Sequence, residues 1–171
     1  MAALAHAGVG LAAKRLAPST SVGVLILGAY VLDIVWAAFW LGGLDHFPAP
    51  GLAVPAPWSH GLTMAIIWSS AAGAVSHFLV KRWRFSLFFG ALVFSHWIVD
   101  FITQPMGAAF PGAGFRVKVF PGISPTIEGL GLYDSATILN VIEYGSLAAG
   151  AAVYASVAWH QRAARKANPV R

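Results

Sequence analysis

No cysteine occurs in the chain, which excludes disulfides and thiolate ligands and leaves any bound metal to nitrogen and oxygen donors. Charge is scarce too. Of the 171 residues only 10% are charged, against roughly a quarter in a soluble domain, whereas 58% are hydrophobic and the mean hydropathy is +0.70. Those proportions exclude an ordinary water-soluble domain and point to an integral membrane protein. Acidic residues are the rarest charges, six against eleven Lys and Arg, for a net charge of +5. The basic residues fall in short clusters at the ends of apolar runs, where topology signals sit, so no nucleic-acid partner is expected. Also missing are a phosphate-cradling glycine loop, a Gly-x-Ser-x-Gly elbow and a nicotinamide fingerprint. Ser59 and Ser95 lack the strained turn that a nucleophilic serine would need.

What is abundant is apolar sequence. Four stretches approach the roughly 20 residues that cross a bilayer as helix, near Ser21–Leu44, Trp58–Val80, Trp83–Gln104 and Ser135–His160. Tyr30 and Trp36, Trp58, Trp83 and the basic pairs beside them act as interfacial anchors. The Pro- and Gly-rich stretches Asp45–Pro57 and Pro105–Gly131 read as loops. Lys14 and Arg15, then Lys81, Arg82 and Arg84, then Arg162, Arg165, Lys166 and Arg171 all fall on one side if there are four spans. The positive-inside rule makes that side the cytoplasm, with both termini there; Arg116 and Lys118 run against the trend. Met1–Ala13 is too short to cross and precedes its basic pair, the reverse of a secretory signal. The expected fold is therefore all-α: one domain over residues 1–171, an integral membrane four-helix bundle with a short half-inserted or interfacial N-terminal helix.

Against this background the buried ionisable residues stand out. Asp33, Asp100 and Glu143 lie inside apolar spans, accompanied by His60 and His96. A charge in hydrocarbon costs several kcal/mol, so such groups face each other, water or an ion. No Lys or Arg lies among them, which leaves protonation or a bound cation. His96 and Asp100 are one helical turn apart on one face, placed to hold one ion together or for the acid to orient the imidazole. At about 1.5 Å per residue from the nearest basic cluster, His96 lies roughly 18 Å deep, Asp33 about 20 Å, Asp100 about 24 Å, Glu143 about 27 Å and His60 about 31 Å. His6 lies roughly 12 Å deep by the same count. His77 and His160 read as interfacial, and Asp45-His46 as a solvated turn. The small residues Gly23, Gly28, Gly73 and Gly145–Ala152 read as helix-packing positions.

The order His6-Ala-Gly-Val-Gly-Leu-Ala-Ala-Lys-Arg, Leu32-Asp33, Trp58-Ser59-His60-Gly61-Leu62, Phe94-Ser95-His96-Trp97-Ile98-Val99-Asp100 and Gly129-Leu130-Gly131-Leu132-Tyr133 resembles a group of bacterial integral membrane proteins. That group is similar to the inner-membrane metal-dependent hydrolases, and the likeness runs along nearly the whole chain. The resemblance implies a metal site with ligands at His6, Asp33, His60, His96 and Asp100. The expected activity is metal-dependent hydrolysis of a lipid or lipid-linked substrate in the bacterial cytoplasmic membrane. Glu143 is the general-base candidate. Zinc suits two imidazoles with carboxylates, and manganese or iron are the other options. Two other readings stay open: a pathway for protons or divalent cations, and a non-catalytic membrane subunit tied together by a structural metal.

Overall fold

The computed structural model describes residues 3–46, 56, 58–103, 106–107, 126–127 and 136–167. Six helices follow in order: α1 (Ala3–Ala12), α2 (Val22–Ala29), α3 (Val31–Leu41), α4 (Leu62–Val80), α5 (Trp83–Thr103) and α6 (Ala136–Ala167), with a 3-10 turn at Ala13–Arg15. A two-residue antiparallel ladder, β1 (Met106–Gly107) against β2 (Thr126–Ile127), pairs Met106 with Ile127. Most of the expected loops, with Arg116, Lys118 and the Gly129–Tyr133 motif, lie outside the described residues. The architecture is all-helical apart from that ladder.

Three helices, α4, α5 and α6, are long and apolar enough to cross a membrane. The expected first span is not one straight helix. It breaks at Tyr30 into α2 and α3, which meet at a bend of 53°, so it counts as a fourth crossing only if that pair is one broken span. Two further boundaries move. Trp58, Ser59 and His60 form a turn ahead of α4, whose N-cap is Gly61 in extended conformation, and α6 continues past His160 to Ala167. The α4 helix ends on Lys81 in the left-handed region at φ 55°, a C-terminal position that favours glycine. Its N–H closes the last turn on His77 O at 2.7 Å.

The N-terminal helix packs against the rest of the chain. Ala5, His6, Gly8 and Gly10 are buried, because α1 lies against α6 and α2 at backbone contact. A Cβ on Gly8 would sit 2.3 Å from Ser146 O, one on Gly150 2.1 Å from Gly8 O, and one on Gly10 2.8 Å from Ile26 Cα. Glycine is what lets these helices touch. The α4–α5 pair uses the same device, with Gly90 facing Ser69 O and Gly73 facing Ser86 O. Gln161 Nε2 donates to Pro18 O at 2.8 Å, and Leu16–Thr20 borders Lys81–Arg84 in one pocket. Lys14 and Arg15, Lys81, Arg82 and Arg84, and the described basic residues of α6 are thereby drawn to one end of the molecule.

Polarity is inverted relative to a soluble domain. Leu41, Phe78, Leu79 and Trp159 are 78, 78, 78 and 74% exposed, whereas His6, His96 and Asp100 are 1% exposed. An apolar exterior around a polar interior is what a lipid solvent selects.

Candidate metal centre

Five chain segments converge at the polar interior, each set by a local feature. Asp33 lies in the first turn of α3, where the break at Tyr30 creates a fresh helix N-terminus whose partial positive charge favours a carboxylate. The same break turns the Ala29 carbonyl toward α5, and His96 Nδ1 meets it at 2.7 Å. A carbonyl only accepts, so this nitrogen carries the proton and Nε2 is left as the lone-pair nitrogen. His60 is carried by the turn before α4, its Nδ1 2.7 Å from Ser59 Oγ. Ser59 is fully buried; its hydroxyl orients an imidazole and is not presented to a substrate.

The ligand atoms then face one another. His60 Nε2 lies 3.2 Å from His96 Nε2, 3.6 Å from Asp33 Oδ1 and 3.6 Å from Asp100 Oδ2. His96 Nε2 lies 3.5 Å from Asp33 Oδ1 and 3.4 Å from Asp100 Oδ2. Most of these separations are too long for good hydrogen bonds. They match the edges of a coordination polyhedron: bonds of about 2.1 Å subtend roughly 3.4 Å at tetrahedral angles and roughly 3.0 Å at right angles. These His and Asp residues could therefore hold a metal ion.

His6 joins from α1. Its Nε2 lies 3.2 Å from Asp100 Oδ1, and its ring stacks on His96 with centroids 3.6 Å apart and planes at 11°. Two overlapping trios, His6–His96–Asp100 and Asp33–His60–His96, each bring one ligand atom per residue within 4.8 Å of the others. His6 Nδ1 is buried without a hydrogen-bond partner. Access is one-sided: the side chains of Asp33 and His60 are 19% and 11% exposed, those of His96 and Asp100 0% and 2%. An incoming water or substrate meets Asp33 and His60 first.

All five expected ligands are thus brought together. Counting along straight helices put His60 roughly 13 Å deeper than His96, yet their Nε2 atoms are 3.2 Å apart. The count fails because residues 58–60 are a turn folded back into the bundle and not the start of a helix. Glu143, expected as general base, accepts the Ala5 N–H at Oε2, 2.9 Å away, and so anchors one of the orphan donors at the start of α1. Tyr30 Oη donates to Ala3 O at the same end. His77 and His160 are exposed. Asp45 is not a solvated turn residue. It is fully buried, and its Oδ1 accepts the Trp58 N–H at 3.0 Å.

Sequence reasoning overlooked the supports of the His60 turn. Trp97 Nε1 donates to His60 O and Trp68 Nε1 to Trp58 O, each at 2.9 Å, so two indoles and Asp45 hold the turn that carries a ligand. The available signal was chemical: a tryptophan buried in an apolar bundle needs an acceptor for its N–H. Neither a family model nor a curated protein sequence nor a solved structure matches the chain.

Proposed function

We propose that this protein is a membrane-embedded, metal-dependent hydrolase acting on a lipid or lipid-linked ester or phosphate, with zinc as the favoured ion. The observation that carries the reading is the set of five ligand-to-ligand separations of 3.2 to 3.6 Å among His60, His96, Asp33 and Asp100. Two nitrogens and two oxygens are a donor set zinc accepts, with manganese and iron as alternatives. A bound cation would supply Lewis-acid chemistry, activating water and polarising a phosphoryl or acyl oxygen. The chain's own groups do the rest. His96 and Asp100 form the closed floor, Ser59 and Ala29 O fix the two imidazoles, and Asp33 is the accessible carboxylate positioned to take a proton from water. Such a site inside an apolar bundle suits a substrate that arrives from the lipid phase.

Two measurements test this. Purified protein should contain close to one equivalent of divalent metal by elemental mass spectrometry, lost in His96→Ala and in Asp100→Ala. Loaded protein should hydrolyse a lipid phosphate or ester from a substrate panel, and Asp33→Asn should abolish turnover. Metal content near zero in the wild type sinks the proposal.

One observation favours a second reading, a pathway for protons or divalent cations: broken helices such as α2–α3 are what many transporters use at their ion sites. Ion flux into liposomes that is lost in Asp33→Asn, with no hydrolysis of any substrate, would select it.

A further inference from the structure

The end of the molecule that gathers the basic clusters contains a second concave feature, away from the metal centre. The chain after α1 and the α4–α5 hairpin enclose a pocket of about 930 Å³, with Thr20, Lys81, Arg82 and Arg84 on its polar part and Val24 and Phe88 on its apolar wall. Its composition is amphiphilic. Among the described residues the ion pairs run between histidine and aspartate, and none involves these three basic side chains. Lys14 does not fill the pocket: its Nζ donates to Thr20 O at 2.6 Å and braces the Leu16–Thr20 segment that forms one wall. Lys81 is held there at a cost, as the one non-glycine residue with positive φ among those described; such backbone persists where its surroundings enforce it.

We propose that this pocket binds one anionic phospholipid, its phosphate held by Lys81, Arg82 and Arg84 and the first carbons of its acyl chains lying on Val24 and Phe88. Charge complementarity selects an anionic headgroup, and the apolar wall selects a lipid over a soluble phosphate. The position agrees with both, because these residues sit where the apolar helices α4 and α5 end and Trp83, an interfacial residue type, is 61% exposed. Each basic side chain at an anionic membrane surface contributes about fivefold in affinity, so the three together should give a strong preference over a zwitterionic lipid.

The test is native mass spectrometry of the full-length protein released from nanodiscs of phosphatidylglycerol mixed with phosphatidylcholine. The wild type should retain one phosphatidylglycerol in at least tenfold preference. The combination Lys81→Ala, Arg82→Ala and Arg84→Ala should lose that preference, whereas Arg162→Ala, Arg165→Ala and Lys166→Ala, an equal loss of three basic charges on α6, should keep it. Val24→Trp fills the pocket from its half-exposed apolar wall and leaves every charge in place, so it decides the matter even if the triple variant fails to fold. It should lower retention at least tenfold. Unchanged retention in Val24→Trp, or equal losses in the two charge-removal variants, would overturn the proposal. Displacement of the lipid by millimolar inorganic phosphate would assign the pocket to a soluble anion and overturn it likewise.

Discussion

Asp100 gives its two oxygens to different partners, Oδ1 to His6 at 3.2 Å and Oδ2 to His96 and His60 at 3.4 and 3.6 Å. One carboxylate therefore links the ligand cage to α1. His6 orients that carboxylate, and losing an orienting group of this kind costs roughly 10- to 100-fold in metal affinity. His6→Ala should show a loss of that size in a competition titration against a fluorescent chelator, with binding still measurable. His96→Ala should abolish binding, because it removes a nitrogen at the shared corner of both trios. His77→Ala should change nothing, since His77 is exposed on α4. Equal effects of His6→Ala and His77→Ala would remove His6 from the site. Trp97→Phe probes the support of the His60 turn. Phe keeps the stack on Phe94 and Phe101 but leaves the His60 carbonyl without its 2.9 Å donor. A buried acceptor left unpaired costs about 1 to 3 kcal/mol, so the melting temperature should fall together with metal affinity.

At the level of elements, the contact that matters most is α1 on α6. Gly8→Ala would set a Cβ 2.3 Å from Ser146 O, so α1 must move, and it carries His6 with it. Overpacking of this kind costs about 1 to 3 kcal/mol; melting temperature and metal affinity should fall together. Gly145→Ala, on the same α6 but with nothing within 4 Å, should be neutral or stabilising, as alanine replaces glycine in a helix. Thermal melts of both variants with and without metal check the contrast. The α5 part of the site was legible in the sequence because His96 and Asp100 obey helical spacing, and Asp33 because an acid in an apolar run has few explanations. The break at Tyr30 was not legible. No proline marks it, and hydropathy is blind to a bend whose accompanying contacts are tertiary: His96 takes the Ala29 carbonyl and Tyr30 reaches Ala3 O. The His60 turn did carry a local sign, Gly61 at the α4 N-cap, but the apolar residues around it read as more helix. Glu143 was legible as buried and not as an anchor of α1, because its partner is a backbone N–H 138 residues away.

Across the whole molecule, the cluster is where packing and chemistry compete. Asp33 and Asp100 approach His60 and His96 from α3 and α5, and no Lys or Arg among the described residues pairs with either. Without a cation, two acids in an apolar bundle must share protons with three imidazoles or pull α3, α5 and the His60 turn apart. A cation would remove that conflict, and because it would bind only the folded arrangement it would stabilise the fold by mass action. At free metal 100 times the dissociation constant that amounts to about 2.7 kcal/mol. With about 2 to 4 °C per kcal/mol for a chain of this size, chelation should lower the melting temperature by roughly 5 to 10 °C. Restoring the metal should reverse the change. The Asp33→Asn, Asp100→Asn double variant supplies the decisive contrast: with the carboxylates gone there is little repulsion for a cation to offset, so its melting temperature should ignore EDTA. A wild-type melt equally indifferent to EDTA would mean that His60, His96, Asp33 and Asp100 hold each other through shared protons, and the cage would be a structural hydrogen-bond network.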